Sequence, residues 1–250
     1  DGGTTWNPAN KGLDAKPITD ILIDPKNPAI VYLTTMGSGV FKSTNRGGSW
    51  QAINNGITEL DATSLAMSPD GSYIVVGTVV GTKIGEDDFT GGIFKSTNNG
   101  ESWDIKFNLD ITSISIDPND PDIFFIATPV GIVKTASAGE LPVQVPGEDE
   151  KTPFFLVNEG LTDTVVKDVI VSPSKDSPDQ PSIIYAAAGI FVQKSINGGE
   201  TWEQIGGGLP GATINRIALD LQAQETLYAA TQGKGIYKMS GNTWSASNEG

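Results

Sequence analysis

The sequence predicts an all-β chain of repeated four-stranded sheets, and three observations lead there. Glycine and proline number 30 and 15 in 250 residues and are spread along the chain. Short apolar runs lie between them, a pattern of many turns and strands rather than of disorder. The five tryptophans recur in one context: Trp6 to Trp50 is 44 residues, Trp50 to Trp103 is 53, Trp103 to Trp202 is 99 and Trp202 to Trp244 is 42. The long interval is two periods, with Phe154 and Phe155 where a tryptophan would fall. Four strand signals fit in each period, and such a unit suits one blade of a β-propeller, where radial repetition protects the sheet edges.

Taken in order, the first and innermost strand of each unit reads Ile18 to Asp24, Ala62 to Ser68, Ile111 to Asp117, Val166 to Ser172 and Ile214 to Asp220. A turn such as Asp24-Pro25-Lys26-Asn27-Pro28 follows, then a β-branched second strand such as Ala29 to Thr35 or Asp122 to Thr128. The third strand is a Gly-Ile/Val-Phe/Tyr-Lys element, as in Gly39-Val40-Phe41-Lys42, and the fourth carries the tryptophan. The expected repeats are 7–50, 51–103, 104–155, 156–202 and 203–244, with an extra outer strand at 1–10, all in a single propeller domain over 1–250. Five blocks of the first three strands face six fourth strands, which fits part of a six- or seven-bladed ring.

Before each tryptophan lies a turn motif. Ser43-Thr44-Asn45-Arg46-Gly47-Gly48-Ser49-Trp50 is matched by Ser96-Thr97-Asn98-Asn99-Gly100-Glu101-Ser102-Trp103 and by Ser195-Ile196-Asn197-Gly198-Gly199-Glu200-Thr201-Trp202. Shorter copies stand at Asp1 to Trp6 and Ser240 to Trp244. Asn and Asp side chains bond nearby backbone amides in tight turns and glycine supplies positive φ, so the motif closes a hairpin. Its indole offers a large apolar face to neighbouring sheets and an N–H that needs a partner.

These residues resemble the Asp-box (BNR) repeat of sialidases, xyloglucanase-like glycosidases, sortilin-type receptors and photosystem II assembly-factor propellers. The resemblance spans nearly the whole chain. It implies a structural role for Asp1, Trp6, Ser43, Asn45, Gly47, Trp50, Ser96, Asn98, Gly100, Trp103, Ser195, Asn197, Gly199, Trp202 and Trp244. It also implies a secreted or periplasmic location. Because families sharing the repeat differ in activity, it leaves the function open.

Composition narrows the chemistry. Cysteine and histidine are both absent, which removes Ser-His and Cys-His nucleophiles, Cys/His zinc sites and CxxC redox motifs from this chain. No cofactor and no metal site is expected. A formal charge of −14 repels phosphate backbones and anionic lipid surfaces, so nucleic acid is not an expected partner. No run approaches the roughly 18 apolar residues of a membrane-crossing helix, and no membrane insertion is expected.

Candidate ligand residues lie at the channel mouth that a propeller would have. One aligned position near the start of the innermost strand holds Asp20, Ser64, Ser113, Asp168 and Arg216, and its neighbour holds Thr19, Thr63, Thr112, Lys167 and Asn215. The polar ring so implied suits a sugar or peptide, or is a solvated tunnel lining. Loops entering these strands add Asp14, Glu59, Asp61, Asp110 and Asp163, carboxylates of the kind that glycoside hydrolysis uses in pairs. Two insertions, Gly81 to Thr90 with Glu86-Asp87-Asp88 and Ser137 to Pro153 with Glu148-Asp149-Glu150, lack regular calcium-loop spacing and read as flexible acidic loops.

Among the activities implied by the resemblance, sialidases use three arginines, whereas this chain has only Arg46 and Arg216. The xyloglucanase-like family uses two aspartates, one in a second-to-third strand turn of Thr-Asp-x-Gly-Gly type. The corresponding turns here are Thr35-Met36-Gly37-Ser38-Gly39, Thr128-Pro129-Val130-Gly131 and Thr231-Gln232-Gly233-Lys234-Gly235, none with a carboxylate. The expectation is therefore a non-catalytic binding or assembly scaffold whose top face takes a protein or glycan. A xyloglucanase-like endo-acting glycoside hydrolase is the alternative.

Overall fold

A computed structural model describes residues 4–80, 91–107, 109–135, 138, 154–173, 181–220 and 226–248. The chain falls into two compact units, Asp1–Leu109 and Asp110–Gly250. The first holds β1 (Ile18–Ile23), β2 (Val31–Thr35), β3 (Gly39–Ser43) and β4 (Gln51–Ala52), then β5 (Ala62–Met67), β6 (Ile74–Thr78), β7 (Ile93–Ser96) and β8 (Asp104–Phe107). The second holds β9 (Ser113–Ile116), β10 (Phe124–Thr128), β11 (Gly131–Thr135), β12 (Phe154–Leu156), β13 (Val166–Ser172), β14 (Ile183–Ala188), β15 (Phe191–Ser195), β16 (Glu203–Gln204), β17 (Ile214–Asp220), β18 (Thr226–Thr231), β19 (Gly235–Ser240) and β20 (Thr243–Ala246). Each successive set of four is one antiparallel meander, giving two blades in the first unit and three in the second. These are the blades of a β-propeller.

The middle strands are buried on both faces. β2, β6 and β10 have no exposed residue, which explains their unbroken β-branched and aromatic runs. Apolar contacts concentrate between successive blades of a unit. Tyr32 and Val40 pack with Leu65, Ile74, Phe94 and Trp103; Phe125 and Ile132 with Val169, Val171, Ile184 and Trp202; Tyr185 and Val192 with Ile217, Leu227 and Trp244. Each joint thus sets an aromatic and a β-branched residue of one blade against the innermost strand and the tryptophan of the next.

The three full turn motifs adopt one geometry. The Ser43, Ser96 and Ser195 hydroxyls each accept the N–H of Gly47, Gly100 and Gly199 at 2.9 Å. Oδ1 of Asn45, Asn98 and Asn197 accepts the N–H of Ser49, Ser102 and Thr201 at 2.8, 3.0 and 3.0 Å. Asparagine supplies both an acceptor and a donor, the Nδ2 groups reaching the Ser49, Ser102 and Thr201 hydroxyls. The indole N–H groups of Trp50, Trp103, Trp202 and Trp244 donate to the carbonyls of Ala9, Ile53, Val157 and Ile205. In Trp103, Trp202 and Trp244 a large ring is thereby buried with its polar atom satisfied, and Trp50 is half-buried.

A second repeated device escapes the sequence reading. After a fourth strand, an Asn-x-Gly segment ties its own blade to the next. Asn54 and Asn158 accept the N–H of Val40 and Ile132 at 2.7 and 2.9 Å and donate to the carbonyls of Ser38 and Val130. Two residues on, Gly56 and Gly160 have φ of +99° and +88°, and a Cβ there would lie 2.1 and 2.3 Å from the carbonyl oxygens of Trp103 and Trp202. Only glycine fits a backbone approach that close.

Two expectations are corrected. Residues 4–10 carry no strand, and Trp6 is 87% exposed. Among the described residues no third strand pairs with this segment, β19 being bonded to β18 and β20. Nor does the tryptophan lie in the fourth strand of most blades. β4, β8 and β16 begin just after Trp50, Trp103 and Trp202, and only β20 includes its own, Trp244. In the blade without a tryptophan, Phe154 is buried and Phe155 is exposed. Asp1 and both acidic insertions, except Ala138, lie outside the described residues.

Candidate functional site

In an antiparallel meander the β2–β3 loop and the segment entering the next first strand share one end of the blade, and the Asn-containing turn lies at the other. The candidate residues near the starts of β1, β5, β9, β13 and β17 belong to the first end.

Within each unit the structure brings these residues together. In the first, Asp20 Oδ2 accepts the Ser64 hydroxyl at 3.2 Å and the Leu65 N–H at 3.0 Å. In the second, Asp168 Oδ1 accepts the Ser113 hydroxyl at 2.6 Å, the Val169 N–H at 3.1 Å and Arg216 Nη1 at 3.3 Å, while Oδ2 accepts the Ile217 N–H at 2.8 Å. Ser64, Ser113 and Asp168 are buried, and the Arg216 side chain is 42% exposed. The adjacent threonines also bond across the joint, Thr19 to the Ala62 carbonyl and Thr112 to the Val166 carbonyl, both at 2.7 Å.

A β-bulge precedes four of the five polar side chains, Asp20, Ser64, Asp168 and Arg216. The ladder shifts register between Ile18 and Asp20, Ala62 and Ser64, Val166 and Asp168, and Ile214 and Arg216. A bulge turns one side chain out of the alternation, here toward the neighbouring first strand. Burial pushes the Asp168 carboxyl above its ordinary range, against the opposing pull of the Ser113 hydroxyl, the Ile217 N–H and the Arg216 guanidinium. With four donors on it, this carboxylate is coordinated by the protein itself.

The loop carboxylates are engaged locally. Asp14 accepts the Ser38 hydroxyl at 3.1 Å, Glu59 the Asp61 N–H at 3.2 Å and Asp163 the Val165 N–H at 2.9 Å. Among the described residues no group of three or more carboxylates is arranged to hold a metal ion.

The same loop end carries exposed apolar side chains that the sequence reading passed over. In the first unit these are Met36 and Leu60; in the second, Val130, Val165 and Ile190. They stand on fixed backbone: the Leu60 carbonyl accepts the N–H groups of Gly37 and Gly39, and the Val165 carbonyl accepts that of Gly189. Their signal in the sequence is an apolar residue inside the turn, Met36 in Thr35-Met36-Gly37 and Val130 in Thr128-Pro129-Val130-Gly131. In the first unit a cleft of about 440 Å³ is lined by Lys42, Ile53, Asn54, Asn55, Asn99 and Glu101.

Comparison with known proteins gives fold likeness. The chain is similar to the GH74 xyloglucanase from Xanthomonas campestris, at TM-score 0.67 and 15% identity over 90% of this chain and 36% of that one. It is similar to the GH74 enzyme of Niastella koreensis, at TM-score 0.65 and 20% identity over 94% of this chain and 37% of that one. It is also similar to YCF48 bound to D1 peptide, at TM-score 0.57 and 15% identity over 94% of this chain and 68% of that one. The likeness is one of fold. The chain spans little more than a third of the length of the two GH74 enzymes. No family model and no curated protein matches it.

Proposed function

We propose that the chain is a non-catalytic binding scaffold whose loop end takes a partly apolar, cationic peptide segment of a partner protein. The observation that carries this reading is made in each unit by itself: exposed Met36 and Leu60 stand with the carboxylates Asp14, Glu59 and Asp61 in the first, and exposed Val130, Val165 and Ile190 with Asp163 in the second. Exposed apolar residues rimmed by charge suit peptide recognition, and the charge of −14 favours a cationic partner. The peptide carried by YCF48 on a similar fold agrees with this. Asp168 is a poor acid or base, since protein donors occupy both of its oxygens. A secreted or periplasmic location goes with the resemblance to Asp-box proteins.

One observation favours a second reading, glycan binding with hydrolysis: two of the structures compared are GH74 enzymes. Two assays separate the readings. Fluorescent peptides of graded lysine and leucine content are expected to bind, more weakly as salt rises, while xyloglucan and β-glucan release no reducing ends. Robust β-glucan hydrolysis, abolished by Asp61→Asn or Asp163→Asn, would establish the enzyme reading instead.

A further inference from the structure

In the first unit the cleft of about 440 Å³ opens between the outer edge of one blade and the turn of the next. Lys42, Gln51 and Ile53 line it from the side of β3 and β4, and Asn99 and Glu101 from the turn before Trp103. Four bonds cross the joint around it. Lys42 Nζ donates to the Asn99 carbonyl at 3.0 Å, and Asn55 Nδ2 to the Glu101 carbonyl at 3.3 Å. The backbone and indole N–H groups of Trp103 donate to the Asn55 and Ile53 carbonyls at 2.9 and 2.7 Å. Walls held in this way are pre-formed, as those of small-molecule sites usually are.

The joint between the β9–β12 and β13–β16 blades, inside the second unit, shows which of these residues the fold requires. There Lys134 donates to the Gly198 carbonyl, Trp202 donates to the Glu159 and Val157 carbonyls, and Asn158 takes the part of Asn54. The lysine and the tryptophan bonds are thus common to both joints. Gln51 and Asn99 are not: Phe155 stands opposite Lys134 as Gln51 stands opposite Lys42, and Gly198 holds the place of Asn99. A joint closes without either amide. In the first unit both side chains are exposed, and neither they nor the Thr44 hydroxyl nor the Glu101 carboxylate makes a hydrogen bond among the described residues. All four of these residues line the cleft.

We infer that this cleft binds a neutral sugar unit of an oligosaccharide. Neighbouring hydroxyls of a sugar ring need donors and acceptors side by side. The Gln51 and Asn99 amides each offer both, the Thr44 hydroxyl does the same, and the Glu101 carboxylate accepts. Ala52 and Ile53 add the apolar surface on which the C–H side of a ring packs. An anion is disfavoured: the Lys42 ammonium already serves the Asn99 carbonyl and the Tyr32 ring, while Glu101 and the chain's charge of −14 repel it. Neither Met36 nor Leu60 lines the cleft, so the inference stands apart from the peptide reading of the loop end.

The test is an NMR titration of the isotope-labelled whole chain with cellotriose, maltotriose and mannotriose. Saturable shifts of the Gln51 and Asn99 side-chain amide signals are expected with at least one of them, at a Kd below about 10 mM, because a few polar contacts in an open cleft bind weakly. The variant Gln51→Phe/Asn99→Gly carries the residues of the other joint, so it is expected to keep its fold and to lose affinity at least about tenfold. Should it misfold, Gln51→Ala alone is read in the same way. No saturable shift at the two amides with any of the three sugars overturns the inference, and so does unchanged affinity in a folded variant. Shifts there caused by the lysine–leucine peptides and not by the sugars also overturn it, by making the cleft part of a peptide site.

Discussion

The Asp168 carboxylate accepts the backbone N–H of Ile217 across a blade joint at 2.8 Å, and Asp20 does the same for Leu65 at 3.0 Å. An innermost strand offers N–H groups along its free edge, and a buried carboxylate from the preceding blade satisfies one of them. Asp168→Asn leaves one acceptor for four donors and turns an amide group toward one of them. The substitution is expected to destabilise the chain by about 2–4 kcal/mol in urea unfolding. A change below about 0.5 kcal/mol would mean that the contact is incidental.

The pH dependence of that loss has a defined sign. Burial raises the native pKa of Asp168 above its ordinary 3.8, so the folded chain binds more protons than the unfolded one between the two values. Stability from this group is fully present below the unfolded pKa and declines as pH rises through the native one. Asparagine does not titrate, so the stability gap between the wild type and Asp168→Asn is expected to be wider near about pH 4 than near about pH 7. The reverse order would show that the donors outweigh burial.

Gly160→Ala should act through the joint rather than the blade. The residue has a φ of +88°, and the added Cβ would lie 2.3 Å from the Trp202 carbonyl oxygen. A loss of about 2–4 kcal/mol is expected, with a red-shifted Trp202 emission as the indole is pushed toward water.

Asn197 tests what the turn requires. Asn197→Asp keeps the acceptor for the Thr201 N–H and can accept the Thr201 hydroxyl, so a change within about 1 kcal/mol is expected. Asn197→Ala removes both bonds and the acceptor of the Ser195 hydroxyl, and is expected to cost about 1–2 kcal/mol. Equal effects of the two substitutions would show that the side chain bears no part in closing the hairpin.

Much of the fold was legible because its determinants are local. The repeat placed Val166–Ser172 and Ile214–Asp220 to the residue, and the Ser-x-Asn-x-Gly-x-Ser/Thr-Trp spacing located the hairpins. Alignment of the repeats also picked out Asp20, Ser64, Ser113, Asp168 and Arg216 as one position. Sequence could not say what that position faces. The bulges at Asp20 and Asp168 are invisible in a polar–apolar pattern, and they turn what read as a solvent-facing ring into contacts between blades. The Asn-x-Gly tie was missed for a related reason: Gly160 is demanded by the carbonyl of Trp202, which lies 42 residues away in sequence.

The most direct test sets the loop end against the innermost strands within one unit. The peptide that binds best in the graded series is titrated by fluorescence anisotropy into the wild type, into Val165→Asp/Ile190→Asp, and into Ser113→Ala. Binding at the loop end predicts that the double substitution weakens affinity at least about tenfold while Ser113→Ala leaves it within about twofold. Affinity lost in Ser113→Ala and kept in the loop variant would contradict that and return the site to the innermost strands.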